Sequence, residues 1–170
     1  MVLDDCNFCP RCGGKLINKF LELENHERLV CEKCDFIFYF NPIPAVGVIL
    51  FNDDKICLVR RKYAPGIGLW CLPAGFVEIY ETVEAAAVRE AKEETNLDIE
   101  IERLHGVYSS FNPTKTHVVV IFYHAKIIGG EPLAGDDAEE LQFFPLDEVP
   151  YPLAFDSHDQ VIKELRQLRI

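Results

Sequence analysis

Apolar positions follow two different periods along this chain. Ala45–Phe51 is a nearly unbroken apolar run of strand length. Asn52-Asp53-Asp54 supplies turn residues and Lys55–Arg61 a second run, so the pair reads as a β-hairpin. Leu69–Leu72 is a short apolar piece that runs into Pro73-Ala74-Gly75; Ile99–Tyr108, Thr116–Ile128 and Leu141–Phe144 are strand-like, and Gly129-Gly130 ends the second of these. Helical spacing occurs twice. Thr82–Thr95 contains four alanines and several glutamates with no Gly or Pro, so it predicts a helix. Thr82 is placed to cap its start and Asn96 to stop it in a left-handed conformation. Asp156–Leu168 carries Val161, Ile162, Leu165 and Leu168 on one helical stripe. Elements in this order predict an α/β domain, a mixed sheet flanked by helices.

The first 40 residues follow neither pattern for long. They hold a polar, hairpin-like stretch between two Cys-x-x-Cys pairs, and Asn41-Pro42-Ile43-Pro44 closes them off, since its two prolines resist both helix and sheet. We therefore expect a small unit over residues 1–40 and a domain over 41–170. With 49% apolar residues the chain can bury a core, and its longest apolar run, Pro44–Phe51, is far too short to span a bilayer. No basic-then-apolar leader opens the sequence, so the expected location is cytoplasmic and no membrane partner is expected. The net charge is 17 − 28 = −11. Residues 1–40 contribute 5 − 7 = −2 and the rest 12 − 21 = −9, so neither part offers the basic field that nucleic-acid binding needs. An acidic protein that binds a polyphosphate requires cations to bridge the repulsion.

Cys9-x-x-Cys12 and Cys31-x-x-Cys34 stand eighteen residues apart, a spacing that brings four thiolates to one tetrahedral point. Four protein ligands close such a site, so its Zn²⁺ is structural, and in a unit with little core the metal supplies much of the folding free energy. Cys6-x-x-Cys9 also fits the spacing; the Pro-x-Cys-Gly context favours Cys9 and Cys12. Cys57 and Cys71 read as core residues.

At about 100° per residue, Glu90, Glu93 and Glu94 share one arc of the predicted helix, with Ala85, Val88 and Ala91 roughly opposite, where they can face a sheet. Arg89 and Lys92 fall off the acidic arc, so on this reading nothing basic relieves the mutual repulsion, about 0.2–0.5 kcal/mol per exposed pair. A hard divalent cation would relieve it, because carboxylate oxygens suit Mg²⁺; a solvated acidic face is the bland alternative. The surroundings decide between them. Gly75, five residues, Glu81, seven residues, then Arg89-Glu90-Ala91-Lys92-Glu93-Glu94-Thr95-Asn96-Leu97 resembles the Nudix box, and Gly68-Leu69-Trp70-Cys71-Leu72-Pro73-Ala74-Gly75 resembles its usual lead-in. Asn96 replaces the final Gly of the pattern and Ala91 is small for its aliphatic position; every acidic position is intact.

The resemblance implies a Nudix α/β/α sandwich preceded by a small zinc-ribbon β unit. It implies that Glu90, Glu93 and Glu94, with the Gly75 carbonyl, bind Mg²⁺ or Mn²⁺, and that Glu81 and Arg89 pair to lock the loop. Glu93, Glu139 and Glu140 are all candidates for the general base. The implied reaction is hydrolysis of a nucleoside diphosphate linked to another group. A ribbon before the box resembles the NADH, ADP-ribose and FAD pyrophosphatase groups. Tyr108-Ser109-Ser110-Phe111-Asn112-Pro113 lacks the motif of the NADH group, whereas Pro113 and Leu153-Ala154-Phe155-Asp156-Ser157 favour ADP-ribose or FAD. Removal of damaged nucleoside triphosphates and non-catalytic nucleotide binding are the rival functions. Trp70, Tyr108 and Phe111 are candidates to stack on a base and Arg61 or Lys62 to reach a phosphate, with core packing and solubility as their ordinary roles. His105, His117 and His124 show no joint spacing. The expected partner is a small nucleotide, and the family allows a homodimer.

Overall fold

A computed structural model describes residues 6–111, 117–135 and 137–168, the side chain of Phe111 excepted. These residues fall into two compact units, one up to Pro42 and one from Ile43 onward. Among them no helix is long and apolar enough to cross a membrane.

The first unit is a three-stranded antiparallel sheet, β1 (Leu16–Leu21), β2 (His26–Cys31) and β3 (Ile37–Phe38), in that order. Its core is small: Cys9, Leu16, Leu29 and Cys31 are buried, with Phe36, Phe38 and Phe40 packed around them. Two of those four buried residues are cysteines, so apolar burial alone has little to work with here.

In the second unit the hairpin strands β4 (Ile43–Asn52) and β5 (Lys55–Arg61) pair only at Phe51–Ile56 and Asn52–Lys55. Along the lengths thus left free, β6 (Trp70–Cys71) pairs with β5 and β7 (Ala74–Phe76) with β4, a strand the sequence pattern did not reveal. β8 (Leu97–Phe111), β9 (His117–Gly130) and β10 (Ala138–Pro145) complete a sheet of order β10-β5-β4-β9-β8. β4 and β9 run parallel and the other pairs antiparallel, so the sheet is mixed.

Helices cover both faces, which is why β4 reads as a continuous apolar run rather than an alternating one. Its even positions Val46, Val48 and Leu50 pack with Ala86, Ala87 and Ala91 of α1 (Val83–Thr95). Its odd positions Ala45 and Ile49 join Phe122 and Val161, Ile162 and Leu165 of α2 (Asp156–Gln167). Gly47 lies on the α2 side, where a Cβ would fall inside the Phe122 ring. The α1 face differs from the one expected. Ala85 and Val88 are exposed, while Ala86, Ala87, Ala91 and Thr95 are buried. The buried stripe is centred beside Glu94 rather than opposite the glutamates, so Glu90 and Glu94 sit at the margin of the core.

Candidate active site and zinc centre

The ends of α1 are set by the residues expected. Thr82 Oγ1 accepts from the Ala85 N–H at 3.2 Å, and Asn96 adopts φ 57°, ψ 12°, with its N–H bonded to the Lys92 carbonyl. The segment after β9 clamps the same end: the Gly135 N–H donates to Glu94 O and the Leu133 N–H to Thr95 O, both at 3.0 Å. A Cβ at Gly135 would overlap the Glu93 carbonyl, so only glycine permits this approach.

Three carboxylates that share an arc in sequence have three different settings. The Glu94 carboxylate is half-buried and accepts from the Ala74 N–H at 2.9 Å. Burial pushes its pKa up to about 8, reinforced by Glu90 and Asp137 and opposed by the Ala74 amide and Arg61. Glu90 presses against Gly75, where any Cβ would collide with its carboxylate, and burial likewise raises its pKa. Glu93 has a side chain 59% exposed, against 14% for Glu90.

Arg89 corrects the view that no base relieves this face. Its Nη1 lies 2.8 Å from Glu90 Oε1 and 3.0 Å from Glu93 Oε2. Its Nη2 and Nε hold Glu81 at 2.6 and 3.0 Å, and Nη2 also reaches the Phe76 carbonyl at 3.0 Å. Glu81 in turn accepts from the Glu78 N–H at 2.8 Å, and the paired guanidinium keeps its pKa below the usual carboxylate range. The Glu81–Arg89 pair thus ties the loop between β7 and α1 to the helix. Glu94 lies outside Arg89's reach among the described contacts. A half-buried carboxylate beside a second carboxylate is what a divalent cation fits, and Glu90, Glu94, Glu93 and the adjoining Gly75 backbone are oxygen donors of the right kind.

Arg61, at the end of β5, bonds the Pro65 carbonyl through Nε at 2.6 Å and lies over the Phe155 ring at 5.0 Å, within electrostatic range of Glu94. Glu140 is not brought to the cluster. It is bound to Arg60 at 2.9 Å, and its neighbour Leu141 packs with Val59 and Cys71, so Glu140 points to the other face, where Arg60 covers Trp70. Glu139 also lies by Arg60, at 3.6 Å. The loop carboxylate that acts on Glu94 is Asp137, a residue the sequence reading missed. Its signal is its place two residues beyond the Gly135 clamp, which becomes visible only once that loop is seen against α1.

Trp70 and Tyr108 pack at the rim of the α2-side core, and Tyr108 donates to Glu164 at 2.6 Å. The Phe111 side chain and Pro113 lie outside the described residues. His105 and His124 are not isolated: register between β8 and β9 sets His105 Nδ1 2.9 Å from His124 Nε2.

In the first unit Cys9, Cys12, Cys31 and Cys34 offer four sulfurs within 4.8 Å of one another. The separations Cys9–Cys34, Cys12–Cys31 and Cys12–Cys34 are 3.8, 3.5 and 3.3 Å. A tetrahedron with Zn–S near 2.3 Å has edges of about 3.8 Å, so the cluster fits zinc. The Arg11 and Lys33 N–H groups each point at a cysteine sulfur two residues back, at 3.4 Å. Cys6 packs beside the cluster, outside this set of four.

The NUDIX domain model matches residues 41–165, and a second model, the zinc ribbon described as Nudix N-terminal, matches residues 7–40. The chain belongs to the Nudix family. It is therefore a Nudix hydrolase. An ADP-ribose pyrophosphatase of Methanocaldococcus jannaschii is 43% identical over 92% of this chain and 94% of its own length. The NAD-capped RNA hydrolase NudC of Pseudomonas aeruginosa is 32% identical over 84% of this chain, which spans only 49% of that protein. Among solved structures, a Nudix hydrolase from Nitrosomonas europaea superposes with TM-score 0.84 at 35% identity, covering 95% of this chain and 92% of its own. The Nudix domain of Shewanella oneidensis NrtR, crystallised with ADP ribose, gives TM-score 0.63 at 27% identity, covering 78% and 91%.

Proposed function

We propose that this Nudix hydrolase cleaves ADP-ribose, with Mg²⁺ or Mn²⁺, to AMP and ribose 5-phosphate. The observation that carries the reading is the half-buried Glu94 carboxylate, held by the Ala74 N–H at 2.9 Å within electrostatic range of Glu90, with desolvation pushing its pKa up to about 8. Support for the substrate comes from the archaeal relative, whose name is ADP-ribose pyrophosphatase and which matches over almost its whole length. FAD and NADH, which share the diphosphate link, follow behind it. The charge of −11 favours a small nucleotide over RNA, in contrast to what the NudC name says of that relative. On this reading the protein works in the cytoplasm, alone or as a homodimer.

Glu90, Glu94, Glu93 and the Gly75 carbonyl would hold the cation. When bound, it neutralises phosphoryl charge and acidifies a water. The protein's own residues do the rest. Glu81 and Arg89 fix the loop so that the donors converge. Glu93, exposed beside Arg89, is one candidate base, and Asp137, within electrostatic range of Glu94, is a second. Arg61 reaches toward a phosphate from the opposite wall. The unit over residues 1–40 is a zinc-held appendage to the catalytic domain over 41–170.

Incubation of the purified chain with ADP-ribose and Mg²⁺ should release two monophosphates and no inorganic diphosphate. Inorganic diphosphate from a nucleoside triphosphate instead would establish the housecleaning reading. No cleavage of ADP-ribose, FAD or NADH with Mg²⁺ or Mn²⁺ would end the proposal.

A further inference from the structure

Three successive residues of the lead-in to the box are each fixed from a different direction. The Pro73 carbonyl accepts from Val48 N–H of β4 at 2.9 Å. The Ala74 N–H donates to Glu94 of α1. The Leu72 N–H, two residues earlier, donates at 3.1 Å to Nδ1 of His158, which comes from α2 on the other face of the sheet. His158 is 2% exposed, with the Phe122 ring perpendicular to it at 5.1 Å and the Phe155 ring also at 5.1 Å. Phe155 in turn lies under Arg61.

An apolar side chain would fill this space equally well. It would leave the buried Leu72 N–H without an acceptor, and the segment would shift to find one. We infer that His158 is a positioning residue for the metal-binding carboxylate: by holding Leu72 from the α2 side, it sets the Ala74 N–H against Glu94 and so fixes the rotamer in which Glu94 meets a cation. This rests on reading Glu94 as a metal ligand. Burial keeps the imidazole far below its ordinary range, at about 3, so Nδ1 remains an acceptor throughout the neutral range. His158 thus forms a second layer behind the acidic helix, supplied by α2 from the other face of the sheet. Groups behind a metal ligand typically tune affinity by about 10–100-fold.

The test uses the full chain and Mn²⁺ alone, titrated by electron paramagnetic resonance, with amide exchange at Leu72 and Ala74 as a second readout. His158→Leu should weaken Mn²⁺ about ten-fold, speed exchange at both amides, and raise the Mg²⁺ concentration for half-maximal turnover by the same factor. The KM for ADP-ribose at saturating metal should stay unchanged. His158→Asn, which returns an acceptor near the Nδ1 position, should recover most of the loss. If His158→Leu does not fold, His158→Gln takes its place: with the acceptor one bond further out it should bind Mn²⁺ more weakly than His158→Asn. Wild-type Mn²⁺ affinity in His158→Leu, or equal affinity in the Asn and Gln variants, while Glu94→Gln binds poorly, overturns the positioning role and leaves the site reading intact. Wild-type Mn²⁺ binding and turnover in Glu94→Gln overturn the site reading itself.

Discussion

The two ligand clusters of this chain are built on opposite principles. In the N-terminal unit four cysteines close on one point, and their sulfurs supply all the ligands a tetrahedral ion takes. On α1 the carboxylates are graded instead: Glu94 half-buried against the Ala74 N–H, Glu90 wedged against Gly75, Glu93 out in solvent and shared with Arg89. A closed set can only hold a structure together. On the proposed reading, a graded set leaves coordination positions for water and substrate, and leaves one exposed carboxylate to exchange protons.

Removing the metal from each cluster should break the comparison in different ways, and the larger effect belongs to the ribbon. Structural zinc contributes about 10–16 kcal/mol of apparent binding free energy in small domains. With two of its four core residues being ligands, the unit has no other source of comparable size. Cys31→Ser should abolish zinc retention and collapse the amide dispersion of residues 7–40 in NMR spectra. A ribbon that keeps its dispersion without zinc would mean that its phenylalanines suffice.

The open cluster should lose function without losing fold. Glu94→Gln should cut turnover of ADP-ribose by about a hundred-fold or more while circular dichroism stays unchanged, because the amide keeps the size of the side chain and its acceptor for Ala74. Glu93→Gln should also cost turnover, and its pH profile should show which of Glu93 and Asp137 serves as base. Equal activity in Glu94→Gln would remove that residue from the site.

How much of this was legible in the sequence depends on the range over which each feature is determined. Helix ends are local, so Thr82 and Asn96 announced α1 to the residue, and Lys55–Arg61 and the α2 start were equally plain. The box and the cysteine pairs are short-range patterns as well. The buried face of α1 was misjudged, because Ala85 and Ala86 are chemically the same and only the sheet distinguishes them. Arg89 was placed off the acidic arc, although a long side chain reaches across a turn that an angular projection cannot represent. Glu139 and Glu140 were named as candidate bases and Asp137 was not, because a register shift in β10 between Ala138 and Glu140 sets which residues face α1, and bulges leave no composition signal. The contact of His105 with His124 likewise depends on register shifts in β8.

A third test reaches the core behind the open cluster. His158 is neutral when folded, titrating at about 3, against about 6.5 for an unfolded histidine. Its folded pKa is depressed, so the unfolded chain binds the extra proton as pH falls. The contribution is therefore whole above about 6.5 and is lost on acidification, at about 1.4 kcal/mol per pH unit. His105 and His124 are shifted in the same direction, whereas Glu94, raised to about 8, and Glu90, also raised, act with the opposite sign in this window. The share of His158 is therefore read against a variant: by urea unfolding, the stability difference between wild type and His158→Asn should shift by about 2 kcal/mol against wild type from pH 7 to pH 5. An unchanged difference would place the titration elsewhere.

The smallest effect concerns how the helix that carries the glutamates ends. Asn96 stands where the family pattern has Gly, at φ 57°. Replacing it by Gly removes the left-handed penalty of a side chain, about 0.5–1 kcal/mol for a tolerant residue such as Asn. The same change deletes the bond from Asn96 Nδ2 to the Glu131 carbonyl at 3.0 Å, which is exposed and contributes about 0.5–1.5 kcal/mol. These cancel, so Asn96→Gly should leave the thermal midpoint nearly unmoved. Asn96→Ala loses the bond and keeps the penalty, for about 1 kcal/mol in all, or roughly 2–4 °C in a chain of this size. Because Gly135 and Leu133 hold the last carbonyls of α1 independently, turnover per folded molecule should persist in both variants. If Asn96→Ala instead lost activity without losing stability, the position of Glu94 would depend on this one cap, and the graded cluster would be less firmly anchored than its clamps imply.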